Sequence, residues 1–180
     1  MICEYTQETN YNIARLNAIF GIIILFVMLI LLSSCATKKP APSQAPQIKI
    51  NNNNGSAGNL IQQVSQQQLG VKYRYGGKNP DQGFDCSGLV LYSYQQALGV
   101  KLPRTAKEQA KAAGYKGKNS DDLVIGDLVV FNNFKHIGIY LGNNQFIHAP
   151  DKNGKVRIEN LQKSYWQNNY DGGYSYFVEN

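Results

Sequence analysis

The stretch Gly83-Phe84-Asp85-Cys86-Ser87-Gly88-Leu89-Val90-Leu91-Tyr92-Ser93-Tyr94 constrains the fold more than any other part of the chain. It predicts a loop that turns abruptly into a helix with a cysteine in the first turn. Asp85 suits the N-cap, because its carboxylate can accept from the free backbone N–H groups one turn on. Cys86, Leu89, Val90, Ser93 and Ala97 fall on one helical stripe, and Leu98-Gly99 supplies a C-terminal stop. A thiol at the positive end of the helix dipole favours the thiolate, so a lowered Cys86 pKa is expected. The same position suits a small buried hydrophobe, the ordinary role of a free cysteine. This stretch alone does not separate the two roles.

The chain has 180 residues and a net charge of +6. Ala18 to Leu32 is an uninterrupted apolar run of 15 residues, short for a spanning helix but suited to a signal-peptide core. Leu32-Ser33-Ser34-Cys35 follows directly and resembles a bacterial lipoprotein cleavage box. Residues 1–34 are therefore expected to be a signal peptide, with Cys35 lipidated at the start of the mature chain; the competing reading is an uncleaved anchor. Either places the rest of the chain on a membrane, outside the cytoplasm. Losing Arg15, Glu4 and Glu8 would leave 17 basic and 10 acidic side chains, a net +7. That balance favours polyanionic surroundings, but no Lys/Arg block of nucleic-acid type occurs, and no nucleic-acid partner is expected. Residues 35–58, rich in Pro, Ala, Asn and Ser, read as a flexible tether.

The folded domain is expected over residues 59–180. Leu60, Ile61, Val64 and Leu69 fit one helical face closed by Gly70, and Val71 to Tyr75 reads as a short extended piece. Leu102-Pro103-Arg104 is extended, and Thr105-Ala106-Lys107-Glu108 is a capping box that opens a helix ending at Gly114. Strands are expected at Leu128–Phe131, His136–Leu141, Gln145–Ala149, near Val156–Ile158, and at Tyr174–Val178. Helices first and a strand meander after indicate an α+β fold with an antiparallel sheet.

The chain's two histidines, His136 and His148, fall on consecutive strands. Ile137, Ile139 and Leu141 share one face, and Ile147 should join them across the hairpin. That requires Ile147 opposite Ile139 and His148 opposite Gly138, with Gly142-Asn143-Asn144 as a three-residue loop. The histidines are then diagonal neighbours on one face, with Gly138 leaving the space between them clear. A thiol nucleophile needs a base, and the base needs a polar group to fix its tautomer. Cys86, His136 and His148 supply those three roles.

Phe84-Asp85-Cys86-Ser87-Gly88-Leu89-Val90, Leu102-Pro103-Arg104-Thr105, Gly126-Asp127-Leu128-Val129-Val130-Phe131, His136-Ile137-Gly138-Ile139-Tyr140-Leu141-Gly142 and Phe146-Ile147-His148-Ala149 together resemble the NlpC family of cell-wall cysteine peptidases. The resemblance covers about Leu60 to Val178, and is greatest to outer-membrane lipoprotein endopeptidases. It implies a papain-like α+β fold, a nucleophile at Cys86, a base at His136 and an orienting residue at His148. It also implies that Tyr73, with Tyr75 close by, lines the site near the oxyanion. Asp85 and Ser87 flank the thiol, and Arg104 has either a substrate-carboxylate or a structural role. The implied substrate is a peptidoglycan stem-peptide or cross-link amide near diaminopimelate or lysine, cut by a monomer without cofactor or metal. Gly172-Gly173-Tyr174 departs from the family pattern, which often has a basic pair there.

Three other readings stay open at this point. Cys86, His136 and His148 could be zinc ligands, although no short ligand pair is present. The chain could be a papain-like amidase or acyltransferase on a non-wall substrate, or a non-catalytic wall-binding lipoprotein. Ala36, where an inner-membrane retention signal would place aspartate, favours the outer membrane.

Overall fold

The computed structural model describes residues 48–49, 56–151 and 153–178. Residues 1–47, including the expected signal peptide and Cys35, lie outside the described residues. The elements in chain order are β1 (Ile48–Lys49), α1 (Ser56–Gln66), β2 (Lys78–Asn79), β3 (Gly83–Phe84), α2 (Cys86–Leu98), α3 (Ala106–Ala112) and β4 (Gly114–Gly117). There follow β5 (Leu128–Phe131), β6 (His136–Gly142), β7 (Gln145–His148), β8 (Arg157–Asn160), α4 (Ser164–Asn168), β9 (Tyr170–Ser175) and β10 (Phe177–Val178). The main sheet has six strands in the order β4-β9-β5-β6-β7-β8, antiparallel throughout. The fold is α+β, as expected.

Strand alternation divides the core in two. Leu128, Val130, Ile137, Ile139, Leu141 and Ile147 meet the helices, where Ile61, Leu89, Val90 and Tyr94 complete one cluster. Val129, Phe131, Tyr140 and Phe146 point to the opposite face and pack with Leu161 and Trp166. Fully buried side chains of this size contribute about 1.5–3 kcal/mol each. Helix α2 is tied into the first cluster by Tyr94, whose hydroxyl donates to the Gly126 carbonyl at 2.6 Å.

The local signals were legible. Asp85 caps α2 by accepting from the Gly88 N–H, and Gly99 ends it with φ 70°. Thr105 and Glu108 form the capping box of α3. The β6–β7 register is the expected one, with Ile139 opposite Ile147. Its closure differs. The loop is two residues, Asn143 and Asn144, both at positive φ, and Gly142 pairs with Gln145. A register shift between Tyr140 and Gly142 absorbs the odd residue, so the short loop and the shared face coexist.

Other expectations are corrected. Leu60 and Leu69 are exposed, and α1 buries Gly58, Ile61 and Ser65 instead. A side chain at position 58 would strike the Ile125 carbonyl, so small residues bring this helix close to the turn before β5. The helix starts at Ser56, and Ile48–Lys49 pairs with Phe177–Val178, so both ends of the tether's second half carry structure. The sheet is not a simple meander: β9 begins at Tyr170 and inserts between β4 and β5, and β4 was not anticipated. The glycines of the departing Gly172-Gly173 segment make this possible. Side chains there would collide with Tyr115 and Leu123, which occupy the space.

Candidate active site

The first turn of α2 presents Cys86, partly exposed, as the only cysteine among the described residues. Asp85 fixes this turn. One carboxylate oxygen accepts from the Gly88 N–H (2.7 Å), the Ser87 hydroxyl (3.2 Å) and Arg104 (3.0 Å). The other accepts from the Gly76 N–H (2.9 Å) and Arg104 (2.6 Å). Arg104 also donates to the Ser87 hydroxyl at 2.9 Å. This two-pronged pairing spends the guanidinium on the loop that carries the thiol, so the geometry favours the structural role for Arg104. Gln109 of α3 reinforces it, donating to the carbonyls of Ser87 (3.0 Å) and Pro103 (2.9 Å).

The thiol faces the start of β6. The Ile137 backbone N–H reaches the sulfur, which places Cys86 beside the strand end that carries His136. Tyr73 is half-buried and close enough to Cys86 and Asp85 for their charges to act on its hydroxyl. Tyr75 is 89% exposed.

His136 Nε2 and His148 Nδ1 are 2.7 Å apart, a hydrogen bond between perpendicular rings. Gly138 does not leave an empty gap beside them: a Cβ there would lie 2.7 Å from the Phe146 ring, 2.8 Å from the Ile147 carbonyl and 3.4 Å from His148 Cβ. The Phe146 ring fills the space. Two nitrogens of one tetrahedral zinc at about 2.0–2.1 Å would stand about 3.3 Å apart, so this contact is a hydrogen bond in place of shared ligation. Among the described residues no group of three or more His, Cys, Asp or Glu side chains is arranged to hold a metal.

Burial governs the protonation of the site. It pushes the Cys86 thiol up, with the Asp85 charge adding to it; the backbone N–H groups of Ile137, Ser87 and Cys86 itself pull the other way without prevailing. The expected lowering of this thiol is therefore corrected. Desolvation of a sulfur packed beside a carboxylate outweighs the helix-end donors. Burial also lowers His136 to about 4, partly offset by Asp151 and helped by Arg157, and holds His148 lower still. The Cys86 thiol and both imidazoles are neutral at rest near pH 7.

An open cavity of about 1010 Å³ reaches the imidazole pair, with Trp166, Lys135, Asp151 and Arg157 also in its walls. Cys86 and Tyr73 are not in its lining and pack with the helix-side cluster.

The NlpC/P60 family model matches residues 70–174. The chain belongs to the NlpC/P60 family. Murein DD-endopeptidase MepH of Escherichia coli is 40% identical over 111 residues, covering 59% of this chain and 41% of its own. The chain thus spans less than half the length of that relative. The probable endopeptidase NlpC of E. coli is 36% identical over 152 residues, covering 82% of this chain and 94% of its own. Among solved structures, a Staphylococcus aureus NLP/P60 family protein described as similar to lipoprotein superposes with a TM-score of 0.61 at 29% identity, over 74% of this chain and 44% of its own.

Within this NlpC/P60 domain, sequence reasoning missed Gln109 and Trp166. Gln109 is a polar residue in a helix and carries no local sign of burial. Trp166 is the chain's single tryptophan, which was the available signal.

Proposed function

We propose that this NlpC/P60 protein is a peptidoglycan endopeptidase that hydrolyses a stem-peptide or cross-link amide by thiol catalysis. The observation that carries the reading is the 2.7 Å imidazole pair at the strand end beside the capped thiol. With Nε2–H donated to His148, His136 keeps Nδ1 free to take a proton. Cys86 Sγ attacks the amide carbonyl carbon as its proton passes to His136 Nδ1. The resulting imidazolium gives that proton to the leaving nitrogen when the C–N bond breaks. Water, deprotonated by His136, then attacks the thioester carbon, releasing the acid and restoring the thiol. The Cys86 backbone N–H and the Tyr73 hydroxyl are the proposed donors to the oxyanion. Asp85, Ser87 and Arg104 act as positioning groups.

The domain division and the address belong to the same proposal. Residues 1–34 are a signal peptide, Cys35 carries lipid, and the segment between Cys35 and the helix at Ser56 tethers a monomeric domain to the periplasmic face of the outer membrane. The apolar run, the Leu32-Ser33-Ser34-Cys35 box and Ala36 support this.

Digestion of purified sacculi, followed by mass spectrometry of the soluble fragments, tests the reaction. New peptide amino and carboxyl ends are expected. New reducing sugar ends would contradict the reading, because glycosidic chemistry needs a paired-carboxylate site.

A further inference from the structure

The open cavity beside the imidazole pair is lined by His136 and His148 but not by Cys86. In the proposed mechanism His136 returns its proton to the leaving nitrogen. The fragment bonded to that nitrogen must then run past the imidazole and away from the thiol, into this cavity. What the cavity walls recognise is therefore a property of the leaving fragment.

Arg157 lies in those walls. It stands opposite His148 in the β7–β8 register, so the two side chains share one face of the sheet. Its guanidinium is held at one point, where Nε donates to Glu159 Oε1 at 2.9 Å. Lys163 Nζ donates to the other oxygen of Glu159 at 2.5 Å, so the holding carboxylate is itself braced. The two terminal nitrogens of Arg157 make no hydrogen bond among the described residues, and the side chain is 51% exposed. Arg104 is the contrast, with both terminal nitrogens spent on Asp85 and Ser87. A guanidinium fixed at Nε and open at its outer end can take a carboxylate on two parallel N–H groups.

The other charges set where an anion can sit. Asp151 lines the same cavity and is exposed. Its charge raises the His136 pKa while that of Arg157 lowers it, so both groups act on this one ring from within the cavity. A carboxylate is repelled by Asp151 and drawn to Arg157. Asp171 turns an oxygen to the Phe134 N–H. Lys118 and Lys135 are exposed point charges on flexible stems. Arg157 is the cation that is both fixed by a protein partner and next in register to the imidazole pair.

We infer that Arg157 is a specificity residue that pairs with a carboxylate on the leaving fragment, so that the enzyme prefers stems whose diamino acid bears a second carboxylate, as diaminopimelate does and lysine does not. Glu159 is the positioning residue that holds it. Stem-peptide and cross-link cleavage both leave that carboxylate on the nitrogen-bearing fragment. The direction of that fragment rests on the proposed thiol mechanism.

Cross-linked muropeptide dimers with this diaminopimelate carboxylate either free or converted to its carboxamide differ in charge, scarcely in shape, and contain both candidate bonds. The full native chain should hydrolyse the free-acid dimer with a kcat/KM about tenfold higher, the worth of one charge-assisted pair at a half-exposed site, expressed mainly in KM. Arg157→Gln, at matched thermal stability, should bring that ratio to about one, and Arg157→Lys should keep part of it. Equal native rates on the two dimers, or a preference that survives in folded Arg157→Gln, would overturn the inference. Calorimetric binding of both dimers to Cys86→Ala reads the same preference without turnover. The free acid should bind about tenfold tighter, and adding Arg157→Gln should remove the difference. Binding that ignores the carboxylate, or no binding of either dimer, would overturn the inference. A binding preference with no hydrolysis by the native protein would overturn the thiol mechanism alone.

Discussion

Cys86 is a neutral thiol at rest, so its reactivity depends on a base and on pH. Burial and Asp85 hold its pKa above the ordinary value. Iodoacetamide labelling of Cys86, mapped by peptide mass spectrometry, should therefore keep rising into the alkaline range. A plateau at neutral pH would show a thiolate stabilised at rest and contradict this site. The partner of that thiol can be dissected at His148. Its proposed task is orientation, so His148→Asn or His148→Gln should keep measurable turnover. His148→Ala should lose about a hundredfold, within the usual range of acid–base contributions. His136→Ala should be worse than either, because the proposed proton acceptor is gone. Gly138→Val should cost stability as well as activity. Its side chain would enter the Phe146 ring, and overpacking of this kind costs about 1–3 kcal/mol.

At the scale of elements, the site is an N-terminal helix turn clamped by Asp85 and Arg104, set beside the open end of a hairpin. Asp85→Ala removes the N-cap, worth about 1 kcal/mol, and strands the Gly76 N–H. Arg104→Met should destabilise less, since the guanidinium side chain is 38% exposed and solvent screens the pair. Both variants should lower the urea midpoint and kcat together. A stable Arg104→Met with only a raised KM would instead assign Arg104 to substrate. How much of this was legible follows from range. Asp85 with Gly88, Thr105 with Glu108, and the Ile139–Ile147 register are set within a few residues or by strand parity, and were read correctly. The Asp85–Arg104 pair was present as two motif positions without a link, because nothing local says that residues 19 apart meet. The Phe146 ring at Gly138, Trp166 behind both imidazoles and the insertion of β9 are tertiary outcomes. The thiol shift was misread because helix position is local while desolvation comes from the whole surrounding structure.

At the scale of the whole molecule, the buried imidazoles link stability to pH. The chain has two histidines, the side chains that ordinarily titrate between pH 5 and 7.5. Both have folded pKa values lowered by burial, His136 to about 4. Below their ordinary value near 6.5 the unfolded chain binds protons that the folded chain refuses. Stability should be full above about pH 6.5 and decline as the pH falls toward 4. Urea midpoints at pH 7.5 and 5 should show this decline, and the doubly substituted His136→Gln, His148→Asn protein should show less of it. Equal midpoints in the native protein would mean the rings are solvated. The proposed anchor is tested on the full chain: Cys35→Ala should abolish incorporation of labelled palmitate, and normal incorporation would remove the lipid from the account.

Cys86 is the group proposed to perform the chemistry on wall peptides. Release of soluble peptide fragments from purified sacculi, compared between the native protein and Cys86→Ala at matched thermal stability, tests it most directly. The native protein should release fragments with new amino ends, and Cys86→Ala should remain at the enzyme-free background. Release by Cys86→Ala at the native rate would contradict the account.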